Sequence, residues 1–360
     1  MSRLRTDDLG QLLFIELDED HWSAGLDKRL RTIRPGGIIL TRRNLRTPES
    51  VAELLGKIAR SVGAPPFLAL EEEGGTGDPL RGFFPPLPSP RAVALKGHAA
   101  ATLGELTGAG MRLLGFNTNF APLLDLSIGS FDAVAGPRTF GSDGLQVAKY
   151  GGDFARGLER HKILPCAKHF PGLGGACPDS NAGLYLSGKP MAQMWREDLV
   201  PYRKLLRHLR LVMVSHYAYK AYDFDVALPA IHSVNVLHGL LRVKLHYHGV
   251  AVTGDLESEH IRRKFHPTEA AVLSINAGCD MVFMSGRQNS VKSAFEGLRN
   301  GLESGRISTS RVAQALDRIR LARTGLTAPS GKISMKALKD LAQKYKEFSN
   351  NLKTEEQKIE

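Results

Sequence analysis

Short apolar runs rich in branched residues recur eight times along the chain, at 12–17, 37–41, 67–71, 116–122, 163–170, 211–216, 249–255 and 280–285. None alternates cleanly between apolar and polar positions, which suits strands of a parallel sheet covered on both faces. Stretches with helical spacing separate most of them: 48–62, 92–114, 145–160, 191–208, 233–245, 267–277 and 291–303. Strand alternating with helix eight times predicts an α/β chain folded as a (β/α)8 TIM-type barrel, one domain spanning 1–330. A doubly wound open sheet is the competitor, but no strand is followed by the G-x-G-x-x-G turn of its dinucleotide-binding version. Past Ser330 the composition shifts toward Lys and Glu, with Met335, Leu338, Leu341, Tyr345 and Phe348 at helical spacing. Residues 331–360 are therefore expected to form an amphipathic helical tail packed on the barrel.

A barrel of this kind carries its functional residues at the carboxyl ends of its strands. Those ends read Arg42–Asn44, then Glu71 to Glu73 before two glycines, Asp125, Lys168 with His169, His216, and Asp255. Ionisable groups in such number after apolar interiors are costly to bury without partners or a ligand, so a polar small molecule is the expected occupant. The densest stretch is KHFPGLGGACPDSN (168–181), where a strand delivers Lys168 and His169 and a Gly/Pro-punctuated loop carries Asp179, Ser180 and Asn181 away.

Composition narrows the alternatives. The 42% hydrophobic and 24% charged content is that of a water-soluble globular protein, and no run approaches the length of a membrane span. The opening MSRLRTDDLGQ lacks the apolar segment of a signal peptide, and Cys166, Cys177 and Cys279 show no zinc or redox spacing, so a cytoplasmic location is expected. The net charge of +11 is dispersed and accompanies no nucleic-acid-binding signature, so no specific nucleic acid is expected as a partner. No pair of His or carboxylate side chains has ligand spacing on one element, and neither a metal nor a cofactor is called for. The oligomeric state is not legible.

Together GGIILTRRNL (36–45), EEEGG (71–75), FNTNFAPLLDLS (116–127), GPRTFGSD (136–143), KHFPGLG, MVSHYAYKAYD (213–223) and INAGCDMVFM (275–284) resemble glycoside hydrolase family 3, in its single-domain bacterial β-N-acetylglucosaminidase branch. The resemblance covers about 10–326. It implies a retaining hydrolysis of terminal N-acetylhexosaminides, of the kind used in cell-wall sugar recycling, in which a carboxylate attacks the anomeric carbon and an acid/base serves the leaving oxygen and then water. It assigns sugar hydroxyls to Arg138, Lys168 and His169, and to Glu71 as the residue that replaces the family's sugar-binding Asp; it adds His216 at the sixth strand end, and places Asp179 and Ser180 on the first two positions of an acid/base D-S-H motif.

The pattern then departs. Asn181 stands where the family has its catalytic His, Leu173 where KHFPGHG has its second His, and Thr76 where an Arg follows E-G-G. In VTGDL (252–256) the nucleophile position is Gly254, with Asp255 one residue on. Asn181 does not titrate near neutrality and Gly254 has no side chain with which to attack. Asp255 is a displaced nucleophile if the glycine lets the backbone turn, and otherwise a carboxylate that orients polar groups, because successive strand residues face opposite ways. Two readings therefore stand open: a glycosidase acting through Asp255 and Asp179, and a barrel that binds an N-acetylglucosamine-containing carbohydrate with its catalysis lost.

Overall fold

The computed structural model describes residues 6–356 except 64, 98, 130, 131, 133, 134, 180–182 and 287. Eight parallel strands close into a barrel: β1 (Leu13–Glu16), β2 (Gly37–Ile39), β3 (Phe67–Leu70), β4 (Thr118–Asn119), β5 (Leu164–Phe170), β8 (Leu211–Val214), β10 (Val250–Asp255) and β11 (Met281–Met284). Each lies within one of the eight apolar runs. Three further short strands, β6 (Cys177–Asp179), β7 (Leu184–Ser187) and β9 (Ala218–Tyr219), form a separate small sheet above the ends of β5 and β8 that the apolar pattern does not announce.

The lumen is plugged by rings. Phe120 packs against Phe14 at 4.7 Å and against Phe283 at 5.7 Å between centroids, although β4 and β11 stand on opposite sides of the barrel. Phe14 and Phe67 stack at 6.1 Å across β2, which leaves them room because its first residue is Gly37; a Cβ there would lie 2.5 Å from the Phe14 ring. With this plug filling the middle, only the carboxyl-end rim remains for chemistry.

Outside, helices cover the strands as the spacing predicts, and their caps are local. The helix Pro48–Val62 starts where Thr47 accepts from the Ser50 N–H, with Pro48 in its first turn. The stretch 92–114 is two helices, Pro90–Leu95 and Ala100–Leu114, interrupted where Gly97 adopts a left-handed conformation. The stretch 191–208 breaks at Glu197 and Asp198, because Asp198 turns inward to meet Lys189. Residues 233–245 wind as a π-helix, Asn235–Lys244. Helices Ala24–Ile33 and Thr309–Ala322, each N-capped by a serine, complete the outer layer. The tail is the helix Met335–Glu356; its Tyr345 is buried, stacks on Phe84 at 4.7 Å and donates to the Leu106 carbonyl at 2.9 Å, so this helix lies against Ala100–Leu114.

Candidate active site

The rim brings two cations and two carboxylates into one cluster. Arg138 donates through Nε to Glu73 at 2.6 Å and through Nη2 to Glu73 and Glu71 at 2.9 and 2.8 Å. The Lys168 ammonium pairs with Glu73 at 2.7 Å and Glu71 at 2.9 Å. Lys168 and Glu73 are enclosed, while Glu71, with 45% of its side chain exposed, opens the cluster to the mouth. Burial alone would lower the Lys168 ammonium's pKa; the two glutamates outweigh it and hold it above its ordinary value. Glu73 opposes burial in the same way at Arg138, which is also raised. Two cations and two carboxylates thus pair each with both partners of opposite sign.

His169 follows Lys168 directly, yet both address the rim. The register between β5 and β8 slips between Ala167 and Phe170, and the extra residue allows two consecutive side chains to do what regular alternation forbids. Asp125, fully buried, fixes the result: it accepts from His169 Nδ1 at 2.8 Å, from the His169 N–H and from the Leu173 N–H at 2.9 Å. With Nδ1 engaged, Nε2 is the ring nitrogen of His169 left for another partner. Asp125 thus positions the imidazole and the start of the 171–176 loop. That loop is further tied by Tyr219, whose hydroxyl donates to the Gly172 carbonyl at 2.9 Å.

The same device recurs on β10. Val252 pairs with Met281 but Asp255 pairs with Phe283, so one extra residue is inserted between them. Asp255, rather than Gly254, therefore shares the inner face with the Phe283 ring. Its Oδ1 accepts from the Glu257 N–H at 2.9 Å and the Ser285 N–H at 3.0 Å, which draws the carboxylate toward β11. Gly254 faces the opposite neighbour: a Cβ there would lie 2.7 Å from His216 Nδ1 and 3.2 Å from the Val214 carbonyl oxygen of β8. The His216 ring fills that space, and its Nδ1 is buried with no hydrogen-bond partner. Burial, together with His260 and His169, pushes the His216 pKa well below its ordinary value, so the ring is neutral.

Asp179 closes β6, its backbone paired with Leu184 of β7; Ser180 and Asn181 lie outside the described residues. Sequence reasoning missed the segment just beyond Asp255. The His260 ring lies 4.4 Å from that of His216 and 5.7 Å from that of Tyr185, which in turn stacks on Tyr217 at 4.6 Å. Both Glu257 carboxylate oxygens, Ser258 Oγ and His260 Nε2 are buried without hydrogen-bond partners. Glu16, at the end of β1, was also passed over, although the strand-end rule itself points to it. It pairs with Arg43, and its pKa is raised by burial and then by Asp255 and Glu257. The described residues contain no group of three or more His, Cys, Asp or Glu able to hold a metal ion. No helix among them is long and apolar enough to cross a membrane.

Comparison with known proteins bears on the chain as a whole. The sequence model of the glycosyl hydrolase family 3 N-terminal domain matches residues 5–322. A β-hexosaminidase of Methylococcus capsulatus is 31% identical over 301 residues, covering 82% of this chain and 88% of the relative. One from Pseudomonas aeruginosa is 32% identical over 282 residues, covering 77% and 83%. Among solved structures, a glycoside hydrolase family 3 β-N-acetylglucosaminidase from Paenibacillus sp. str. FPU-7 superposes with a TM-score of 0.86 at 30% identity, over 97% of this chain and 69% of that one.

Proposed function

The chain belongs to glycosyl hydrolase family 3, and from that premise we propose that it acts on terminal β-N-acetylglucosaminides, cleaving them with retention of configuration. The observation that carries the reading is the rim cluster of Arg138, Lys168, Glu71 and Glu73 beside an Asp125-held His169. Sugar hydroxyls both donate and accept, and a fixed array of charged donors and acceptors at strand ends is suited to bind several of them at once. The relatives named β-hexosaminidase and β-N-acetylglucosaminidase support the choice of sugar. In this reading residues 1–330 are the acting barrel, 331–360 brace its flank, and the protein works in the cytoplasm on a carbohydrate containing N-acetylglucosamine.

The test pairs hydrolysis of p-nitrophenyl β-N-acetylglucosaminide with calorimetry of N-acetylglucosamine on the same preparation. Turnover supports the reading. Binding without turnover would reduce it to a sugar-binding barrel, the reading that Gly254 and Asn181 favour, and absence of both would overturn it.

A further inference from the structure

The site as built has no carboxylate where the family's attacking group belongs, and no space for one. A side chain at 254 would run into His216 and the β8 carbonyl, whereas the Asp255 carboxylate is drawn to the other flank of β10 by the Ser285 and Glu257 amides. Of the Asp255 oxygens, Oδ1 is held by those two amides and Oδ2 is taken up by no described residue. That leaves a fixed acceptor oxygen open to a donor. Nearby stands an imidazole with an unsatisfied buried nitrogen, His260 Nε2, packed against Tyr185. Tyr185 pairs with Pro178 in the hairpin that leads to Asp179, so His260 supplies an imidazole beside that hairpin.

An N-acetylglucosaminide carries a nucleophile of its own. The carbonyl oxygen of its acetamido group can reach the anomeric carbon and close a five-membered oxazolinium ring, which asks of the protein an acceptor for the amide N–H and an acid for the leaving oxygen, but no attacking side chain. The geometry points to this substrate-assisted route, with Asp255 holding the amide N–H and His260 acting as acid/base, an inference that rests on the function proposed above. In the first step the acetamido oxygen bonds to the anomeric carbon as the bond to the aglycone oxygen breaks, and the imidazolium form of His260, which burial disfavours and Glu259 and Asp255 favour, gives that oxygen its proton. The negative Asp255 carboxylate stabilises the positive charge that develops on the amide. In the second step water attacks the anomeric carbon, neutral His260 takes its proton, and the ring oxygen leaves to regenerate the acetamide. One water is consumed, and two displacements retain the configuration.

The route makes the acetamide itself a rate determinant. With the whole protein, kcat/KM on p-nitrophenyl glycosides bearing acetyl, monofluoroacetyl, difluoroacetyl and trifluoroacetyl groups should fall steadily as fluorine withdraws electrons from the carbonyl. The corresponding β-glucoside should not be cleaved, and N-acetylglucosamine-thiazoline, a stable analogue of the ring intermediate, should inhibit. Asp255→Asn keeps an oxygen for the two backbone amides but turns the other acceptor into a donor, and should lower kcat by about 10²–10³-fold with little change in KM. His260→Ala should slow glycosides with poor leaving groups far more than dinitrophenyl ones, a discrimination that loss of packing alone would not produce.

Rates indifferent to fluorination, cleavage of the glucoside at a comparable rate, or a glycosyl adduct on the protein trapped with a fluorosugar would each overturn the route while leaving the glycosidase reading intact. N-acetylglucosamine binding without any turnover would also overturn it. Absence of binding would instead sink the choice of sugar, and the route with it.

Discussion

Gly254 is where the steric reading is most exposed to test. Its φ is not left-handed, so alanine meets no backbone penalty there, and the cost of Gly254→Ala is a matter of space. The new methyl would stand 2.7 Å from His216 Nδ1, 3.2 Å from the Val214 carbonyl oxygen and 3.6 Å from His216 Cγ, when ordinary contact begins near 3.4 Å. The carbonyl belongs to a barrel strand and cannot retreat, so His216 must move, and its ring is backed by His260 at 4.4 Å and Tyr217 at 5.3 Å. Overpacking of this kind costs about 1–3 kcal/mol, and replacing glycine returns about 0.4–1 kcal/mol by stiffening the unfolded chain. A net loss of about 1–2 kcal/mol is expected. Urea unfolding of the wild type, Gly254→Ala, His216→Ala and the double variant measures it, with an unchanged m-value as the check on two-state behaviour. In the His216→Ala background the glycine substitution should cost less than about 0.5 kcal/mol, because its principal obstacle is gone. Equal destabilisation in both backgrounds, or none in the wild type, would show that His216 does not fill the space beside Gly254. The same geometry predicts that Gly254→Asp forms no covalent glycosyl-enzyme until His216 is also shortened.

Asp125→Asn replaces the charged acceptor of three bonds to His169 and Leu173; losing the charge assistance should weaken N-acetylglucosamine binding by about 1.5–3 kcal/mol in calorimetry while circular dichroism stays unchanged. Lys168→Met strips the enclosed Glu73 of one of its two cations and should cost about 3–5 kcal/mol in urea unfolding, with Glu73→Gln in the same chain recovering most of it. Asp198 is 1% exposed, and burial raises its carboxyl to about 6 despite Lys189. It holds its proton more tightly folded than unfolded, so its favourable contribution is complete below its ordinary value of 3.8 and is lost as pH rises through about 6. Relative to Asp198→Asn, the wild type should therefore lose about 2–3 kcal/mol over that interval, and a stability difference flat in pH would contradict the assignment.

The eight barrel strands were legible because each is buried on both faces and so reads as an uninterrupted apolar run, and their polar ends stood out for the same reason. Glu71, Lys168 and His169, which the resemblance implies as sugar contacts, lay at those ends, and Arg138 reaches Glu71 there from the 136–138 turn. The two register slips that turn His169 and Asp255 toward the rim were not legible. A bulge arises when a strand must match two neighbours around a closed ring, and nothing in KHF or TGD states that requirement. Alternation within β10 would have faced Asp255 away; the added residue reverses it. Helix Ala24–Ile33 was hidden by its own cations, although Leu26, Leu30 and Ile33 keep helical spacing beneath them. His260 and Glu257 escaped because they lie past the strand end, in the turn and short helix that follow Asp255, where neither the strand-end rule nor a family motif named above reaches.

Those slips also account for how this barrel can lack the family's attacking group and keep the rim cluster proposed to bind sugar. The cluster of Arg138, Lys168, Glu71 and Glu73 is neutral as a whole and satisfied from β3, β5 and the 136–138 turn, so its stability owes nothing to the end of β10. A carboxylate removed from position 254 leaves no cation unpaired there, since the ring that faces it, His216, is neutral and takes no proton from the pair of strands. The electrostatic cost of losing the attacking group is therefore small, and the space is taken by an imidazole. The bulge turns the next residue, Asp255, inward on the β11 side, where two amides hold it. In the function and route proposed above, binding and bond cleavage would rest on separate arcs of the rim, β3 to β5 for the sugar hydroxyls and β8 to β11 for the anomeric centre. A change of mechanism can proceed on the second arc without dismantling the first, provided the substrate brings the nucleophile that the strand no longer supplies.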